Sequence, residues 1–304
     1  MKISVIIPTK NRPEELKSCL KSISRQTKRP DEIIIVYAGS QPDVKGLTEL
    51  IGKIKLRFFR NGKMIMTHGK NIGLNKAIGD IIFIFDDDVI VQKNYLRETA
   101  KIFQDDPQRK IGIVVGSITN TPKQSFEFFR KIFLLAGKGC YRVLPSGANV
   151  INNRGAKNTK EVDWASGCAM AIRRKVAQEF KVNEQYDLFS YGLGEDLDYS
   201  WRVGKRYKII FNPRSRLKHI FSQRGRINDF LYGFIYVINR EYFVNKNMNS
   251  FYHYVCFYWS IFGWLLGNIV GIIKTPIKNL LIVSGGTVGL LYLISTKIWQ
   301  AVTE

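Results

Sequence analysis

Residues 81–90 read IIFIFDDDVI, so three consecutive carboxylates, Asp86, Asp87 and Asp88, follow a run made only of Ile and Phe. Like charges this close repel, and burying them is costly unless something positive joins them. A divalent cation is the simplest such group. An oxygen-rich ligand set favours Mg2+ or Mn2+, ions that commonly bring phosphates along. A solvated loop after a core strand is the plain alternative. A second acidic group stands at Gly194-Glu195-Asp196-Leu197-Asp198, with Arg202 four residues beyond Asp198. On a helix Asp198 and Arg202 pair on one face. A carboxylate in the first turn is favoured by the helix dipole and is expected to stay ionised. That suits a general base removing a proton from a hydroxyl. A helix cap with a surface ion pair is the competing reading.

Two further stretches carry polar chemistry. In His68–Ala77 (HGKNIGLNKA) small residues recur at 69, 73 and 77, a spacing that lets a helix approach a sheet or a nucleotide closely. Lys70 and Asn71 are then candidates to face phosphate or sugar, against the alternative of helix packing with solvated lysines. His219 lies in the basic stretch RSRLKHI. A lone histidine is more often structural than a ligand, but its place after GEDLD shifts that balance. Arg224 and Arg226 suit a bidentate clamp on a diphosphate, or equally a surface facing anionic lipid.

The elements that must position these groups alternate. Lys2–Pro8 reads as a buried strand, and Asn11, Arg12 and Pro13 start a helix, with proline suited to the first turn. Asp31–Tyr37 is a second strand, ended by Ala38, Gly39 and Ser40. Ile54–Phe59 is a short strand, Asn71–Ile78 a helix, and Ile81–Phe85 a strand buried on both faces. Such repetition predicts a mostly parallel α/β sheet with right-handed crossovers. The Asp triplet would sit at the carboxyl end of its strand, where open sheets bind ligands. No GxGxxG follows the first strand, so the dinucleotide fingerprint is absent. Trp164–Arg174 looks like another buried element, and Lys208–Phe211 a short strand before Pro213. Residues 120–160 hold an aromatic, basic run and a Gly/Asn/Lys-rich stretch, the pattern of a functional loop or lid.

The 304 residues can bury a substantial core, and a formal charge of +22 favours an anionic partner. No nucleic-acid motif appears, and the aromatics gather in apolar runs, so nucleic acid is not the expected partner. Cys19, Cys140, Cys168 and Cys256 lie far apart without CxxC spacing, which argues against a zinc site or a disulfide framework and fits a reducing compartment. The N-terminus shows no signal-peptide pattern. Phe251–Ile273 runs 23 residues without Asp, Glu, Lys or Arg. At a rise of about 1.5 Å per residue it reaches roughly 35 Å, enough for a hydrocarbon core. Leu280–Ser295 is shorter and marginal. The expected layout is a catalytic domain over 1–225, a basic amphipathic helix and linker over 226–250, and a membrane-associated helical hairpin over 251–304. The catalytic domain is expected on the cytoplasmic side of the cell membrane.

Together these residues resemble the family 2 glycosyltransferases, which have the GT-A fold. IIPTKNRPEELKSCLKSISRQ is similar to the family's opening strand and helix, DEIIIVYAGS to its second strand and nucleotide turn, and GKNIGLNKAIGDIIFIFDDD to its donor helix and Asp-x-Asp motif. DWASGCAMAIRR resembles its acceptor-side strand, GEDLDYSWR its catalytic-base motif, and INREYFVNKN a basic helix of its members. The resemblance implies a nucleotide-diphosphate sugar donor, Mg2+ or Mn2+, and transfer with inversion to a hydroxyl of a glycan or lipid-linked acceptor. It assigns Asp196 as base and Glu195 as acceptor-orienting. Asp88 and His219 fall to the metal, and Trp164 and Gly167 to the acceptor. Pro8, Thr9, Asn11, Arg12, Tyr37, Gly39, Lys70, Asn71, Asp86 and Asp87 fall to the donor. One departure stands out: many members carry Asp-Asp-Gly-Ser at the second-strand turn, where this chain has Tyr37-Ala38-Gly39-Ser40. The other readings are a nucleotidyltransferase of related fold, disfavoured because PTKNRPEE is no phosphate loop, and a non-enzymatic basic protein that binds membrane or nucleic acid.

Overall fold

The computed structural model describes residues 1–122, 126–189 and 191–303, with side chains through residue 296. The chain forms two compact units. The first comprises Met1–Lys123, Gly139–Tyr141 and Ile151–Gly225; the second comprises Gln124–Lys138, Arg142–Val150 and Arg226–Glu304.

The first unit opens with β1 (Ile3–Lys10), α1 (Pro13–Ser24), β2 (Glu32–Ala38), α2 (Val44–Ile51), β3 (Lys55–Arg60), α3 (Met66–Lys76), β4 (Ile81–Ile84), β5 (Val89–Val91), α4 (Tyr95–Gln104) and β6 (Ile111–Ile118). The chain then contributes α5 (Glu127–Ile132), β7 (Arg142–Val143) and β8 (Asn149–Val150) to the second unit. It returns to the first with β9 (Lys160–Glu161), β10 (Met170–Arg173), α6 (Arg174–Glu179), α7 (Glu195–Gly204) and β11 (Lys208–His219). The second unit ends with α8 (Asp229–Asn247), α9 (Phe251–Gly271) and α10 (Pro276–Thr303).

The described strands of the first unit form a nine-stranded sheet in the order β3-β2-β1-β4-β10-β6-β11-β5, with β9 on β11. The apolar runs are its core: Val5–Ile7, Ile33–Ile35 and Ile81–Phe83 are all fully buried. Pro8 sits inside β1 without breaking the sheet. The β1–β4 pairing ends at Ile6 opposite Ile84, so the missing Pro8 amide leaves no ladder bond unmade. Pro13 opens α1, with Glu14 and Glu15 in the first turn and Leu16, Cys19, Leu20 and Ile23 buried at helical spacing. Helix α3 begins at Met66, earlier than the glycine spacing predicts, because Asp187 accepts the Thr67 amide at 2.7 Å and caps it.

The sheet is mixed: β10 runs antiparallel between β4 and β6. This reversal matters for the site. Met170 at the start of β10 pairs with Ile84 at the end of β4, so the turn before β10 lies at the rim that carries the Asp triplet. Strand β11 is parallel to β6, and its last residue, His219, pairs with Val89. It therefore ends at the same rim. Its length corrects the sequence expectation of a strand stopping before Pro213. The strand continues through Pro213 by way of a register break between Asn212 and Arg216, which tolerates the missing amide.

In the second unit, residues 126–138 and 142–150 form α5 and the β7–β8 hairpin in place of the expected open lid; residues 123–125 of that stretch lie outside the described ones. Arg240 of α8 donates to the Ser146 carbonyl and to Ser260 Oγ, both at 2.8 Å. It is buried, not part of a basic surface as the sequence suggested. Helix α10 is 28 residues long, well beyond the marginal stretch foreseen. Phe251–Gly271 and Pro276–Thr296 are each 21 residues and long and apolar enough to cross a membrane. Phe251, Phe262, Ile277 and Leu291 are exposed on them.

Candidate active site

The three carboxylates at the end of β4 have three different surroundings. Asp87 turns inward, where it accepts from Thr9 Oγ1 at 2.7 Å and from Arg12 Nη1 at 3.0 Å. Burial pushes it up to about 6 against both of those contacts. Arg12 also donates to the Arg224 carbonyl, and Ser222 to Glu15 at 2.8 Å, so residues 222–224 are tied to the start of α1. Thr9, Arg12 and Asp87, all expected on the donor, thus bond to one another. Asn11 accepts the Ser40 amide at 3.0 Å and lies against Gly39, whose φ of +80° and lack of a Cβ permit the contact. Tyr37 ends β2 half-buried beside that turn, and Pro8 is half-buried in β1.

Asp88 Oδ1 lies 2.9 Å from His219 Nε2, and Asp88 Oδ2 accepts the Ser222 amide at 2.9 Å. Burial would raise Asp88, but His219 and that amide hold it below the usual range. Burial likewise opposes charge on His219, yet hydrogen bonding to Asp88 and Cys168 raises it to about 11. Asp86 is the open member, with 30% of its side chain exposed against 2% for Asp88, and it lies 3.9 Å from His219 Nε2. Donor atoms of Asp86, Cys168 and His219 all fall within 4.8 Å of one another. A carboxylate, an imidazole and a thiol this close to one another fit a divalent cation. Of these three, His219 was expected on a metal, Asp86 on the donor, and Cys168 was not singled out; Asp88, also expected on the metal, lies against His219 and the Ser222 amide.

The second acidic group sits at the start of α7. Gly194, with φ +91°, precedes it, and Asp196 accepts the Gly167 amide at 2.9 Å and the Leu197 amide at 2.8 Å. Burial nonetheless raises Asp196 above its ordinary value. The dipole argument from sequence is thereby outweighed, and Asp86 adds to the rise, so the donor rim and the base are within electrostatic reach. Gly167 is in the turn before β10; a Cβ there would come 2.9 Å from Lys70 Nζ and 3.3 Å from Asp196 Cβ.

Lys70 Nζ lies 2.7 Å from Glu195 Oε1, with only 4% and 5% of the two side chains exposed. Burial, and then Asp196, push Glu195 up to about 7 despite Lys70. Lys70 itself is raised, Glu195 outweighing its burial. At neutral pH and above the pair is ionised, since neutralising Glu195 would strand a buried ammonium. Lys70, expected on the donor, and Glu195, expected to orient the acceptor, thus face each other. Asn71 holds α3 to residues 182–184 by bonds to both the amide and carbonyl of Val182, at 2.9 Å each, so it too is structural. Trp164 is 2% exposed, with Tyr141 edge-on at 5.3 Å. It offers no open face for a sugar. Asp198 pairs with Arg202 at 2.8 Å as the spacing foretold.

The mixed sheet has known counterparts. The chain belongs to Glycosyl transferase family 2, whose model matches residues 4–180. It is a glycosyltransferase of GT-A-like fold. Uncharacterized glycosyltransferase YwdF of Bacillus subtilis is 36% identical over 103 residues, 33% of this chain and 38% of that one. The GalNAc(5)-diNAcBac-PP-undecaprenol beta-1,3-glucosyltransferase of Campylobacter jejuni is 36% identical over 91 residues, 29% of each chain. The matched part is therefore less than half the length of these relatives. The fold is similar to that of the mannosyltransferase PcManGT from Pyrobaculum calidifontis in complex with GDP-Man and Mn2+, with a TM-score of 0.57 and 14% identity, covering 95% of this chain and 87% of that one.

Proposed function

We propose that the enzyme moves a sugar from a nucleotide-diphosphate donor to a hydroxyl of a membrane-bound, lipid-linked glycan, in one inverting displacement that depends on a divalent cation. The observation that carries this reading is Asp196: a half-buried carboxylate fixed by two amides at a helix start, raised by burial, within reach of Asp86. Two donors point its oxygens, and the raised pKa strengthens it as a base. The acceptor oxygen attacks the anomeric carbon, Asp196 takes its proton, the bond to the diphosphate oxygen breaks, and the nucleotide diphosphate leaves. Attack from the face opposite the leaving group inverts the carbon, as in other single displacements. Lys70 and Glu195 hold the charge balance beneath Asp196. Asp86, Asp88 and His219 would hold the cation, which when bound offsets charge on the leaving phosphate.

The acceptor class rests on the two apolar C-terminal helices and on the lipid-linked substrate in the name of the Campylobacter relative. The free cysteines suit a catalytic unit on the cytoplasmic side. The test is binding and turnover of a panel of UDP-, GDP- and dTDP-sugars with Mn2+, Mg2+ or EDTA, in detergent. One donor should bind with metal, lose affinity in Asp88→Ala, and keep affinity but lose turnover in Asp196→Ala. If no nucleotide sugar binds with either metal, the reading fails.

A further inference from the structure

Cys168 lies in the turn Gly167–Ala169, at the rim and next to the residue whose amide holds Asp196. Its sulfur is buried, lies 3.4 Å from Ser166 Oγ, and falls within 4.8 Å of ligand atoms of Asp86 and His219. No sequence spacing points to it, because its would-be partners lie more than 48 residues away on either side. The antiparallel β10 brings it there. An all-oxygen site with one imidazole prefers hard ions; a thiolate beside them turns the preference toward softer ones.

We propose that Cys168 is a further protein ligand, next to Asp86 and His219, and that this site takes thiophilic ions such as Cd2+, Zn2+ or Co2+ through a metal–sulfur bond. The proposal rests on the cation site proposed above and adds its selectivity. On binding, the thiol S–H bond breaks and the His219 imidazolium gives up its Nε2 proton, both protons pass to solvent, and sulfur and nitrogen each donate an electron pair to the ion; nothing is oxidised or reduced. The sulfur sits in the same turn as the Gly167 amide, so an ion drawn toward it acts on the turn that orients Asp196. Two consequences follow: thiophilic ions bind more tightly than Mg2+, and they bind by a contact that Mg2+ does not use.

The experiment titrates the full-length protein in detergent with Cd2+ and with Co2+, reading the sulfur-to-metal charge-transfer absorption. Mn2+ binding is read in parallel from the loss of the free-ion electron paramagnetic resonance signal. Wild type should show one charge-transfer band saturating at one equivalent. Cys168→Ser should lose the band and about tenfold or more in Cd2+ affinity, while still binding Mn2+, which also shows that it is folded. Cys140→Ser and Cys19→Ser should keep the band, and His219→Ala should weaken it. A wild type that binds Mn2+ with no charge-transfer band overturns the sulfur ligand and leaves the cation site standing. Absence of binding by every ion overturns both. A band that survives in Cys168→Ser overturns the assignment to this cysteine.

Discussion

Replacing Lys70 with Met separates a buried ion pair from a phosphate contact. Unit charges 2.7 Å apart attract by about 6 kcal/mol at an effective dielectric of 20. Burial of both groups offsets much of that, so the pair adds little net stability, but removing one partner leaves the other buried and uncompensated. Such truncations cost about 3–5 kcal/mol, and at 4% and 5% side-chain exposure solvent does little to reduce it. For a unit of this size the melting temperature should fall by about 6 °C or more. The loss has a pH signature. Glu195 is already raised to about 7 in the folded protein, above its unfolded value. Without Lys70 it rises further and stays protonated at pH values where the wild-type carboxyl is ionised. Above pH 7 the gap between variant and wild type should widen by about 1.4 kcal/mol per pH unit until the variant's carboxyl also ionises. Below pH 7, where both carboxyls carry a proton, the gap stays level. Thermal unfolding in detergent at pH 7, 8 and 9 reads this directly, and Lys70→Met/Glu195→Gln should recover most of the loss. Donor affinity, measured by calorimetry, should be unchanged. A cost under about 1 kcal/mol with no pH trend, together with collapsed donor affinity, would refute the buried pair and restore Lys70 as a phosphate ligand.

Asp196→Asn should keep donor affinity and lose about 10³-fold in kcat, the weight of a general base, in a labelled-donor transfer assay. Gly167→Ala should lower kcat by about tenfold or more, since its Cβ would press on Lys70 Nζ and Asp196 Cβ and displace the base; unchanged turnover would show the turn to be slack. The pH profile of kcat/KM should fall on its acid side, because Asp196, raised by burial above its ordinary value, takes up a proton there and is lost as the base. A profile flat down to pH 5 would contradict the raised value. In the second unit, Gly285→Val should destabilise by about 1–3 kcal/mol or more, because a Cβ at 285 would run into the Phe230 carbonyl, and backbone cannot swing aside. Loss of the monodisperse peak in size-exclusion chromatography would register it.

Much of the first unit was legible because its signals are local. A run of Ile and Phe ending in Asp, or a proline followed by two glutamates, states its own conformation. The roles of the polar residues were less legible, for a common reason. Thr9, Arg12, Lys70 and Asn71 stand beside the right motifs, but their partners, Asp87, Glu195 and Val182, are remote in the chain. From sequence, a lysine next to a phosphate-binding pattern and a lysine neutralising a remote glutamate look alike. Pro213 misled for the opposite reason. It is a strong local stop signal, overridden by a bulge that tertiary pairing with β6 and β5 sustains.

The reversed strand β10 explains why the site could not be assembled from motif order alone. Had β10 run parallel to β4, its preceding turn would lie at the opposite edge, and neither the Gly167 amide nor the Cys168 sulfur would reach the carboxylates. Running antiparallel, it delivers both at once: Gly167 to Asp196 on one side, Cys168 toward Asp86 and His219 on the other. The proton-accepting group and the cation ligands are thus joined through three consecutive residues of one rigid turn. Gly167 faces the base and Cys168 the cation ligands, which is why Gly167→Ala and Cys168→Ser, though adjacent, should report on different halves of the same site.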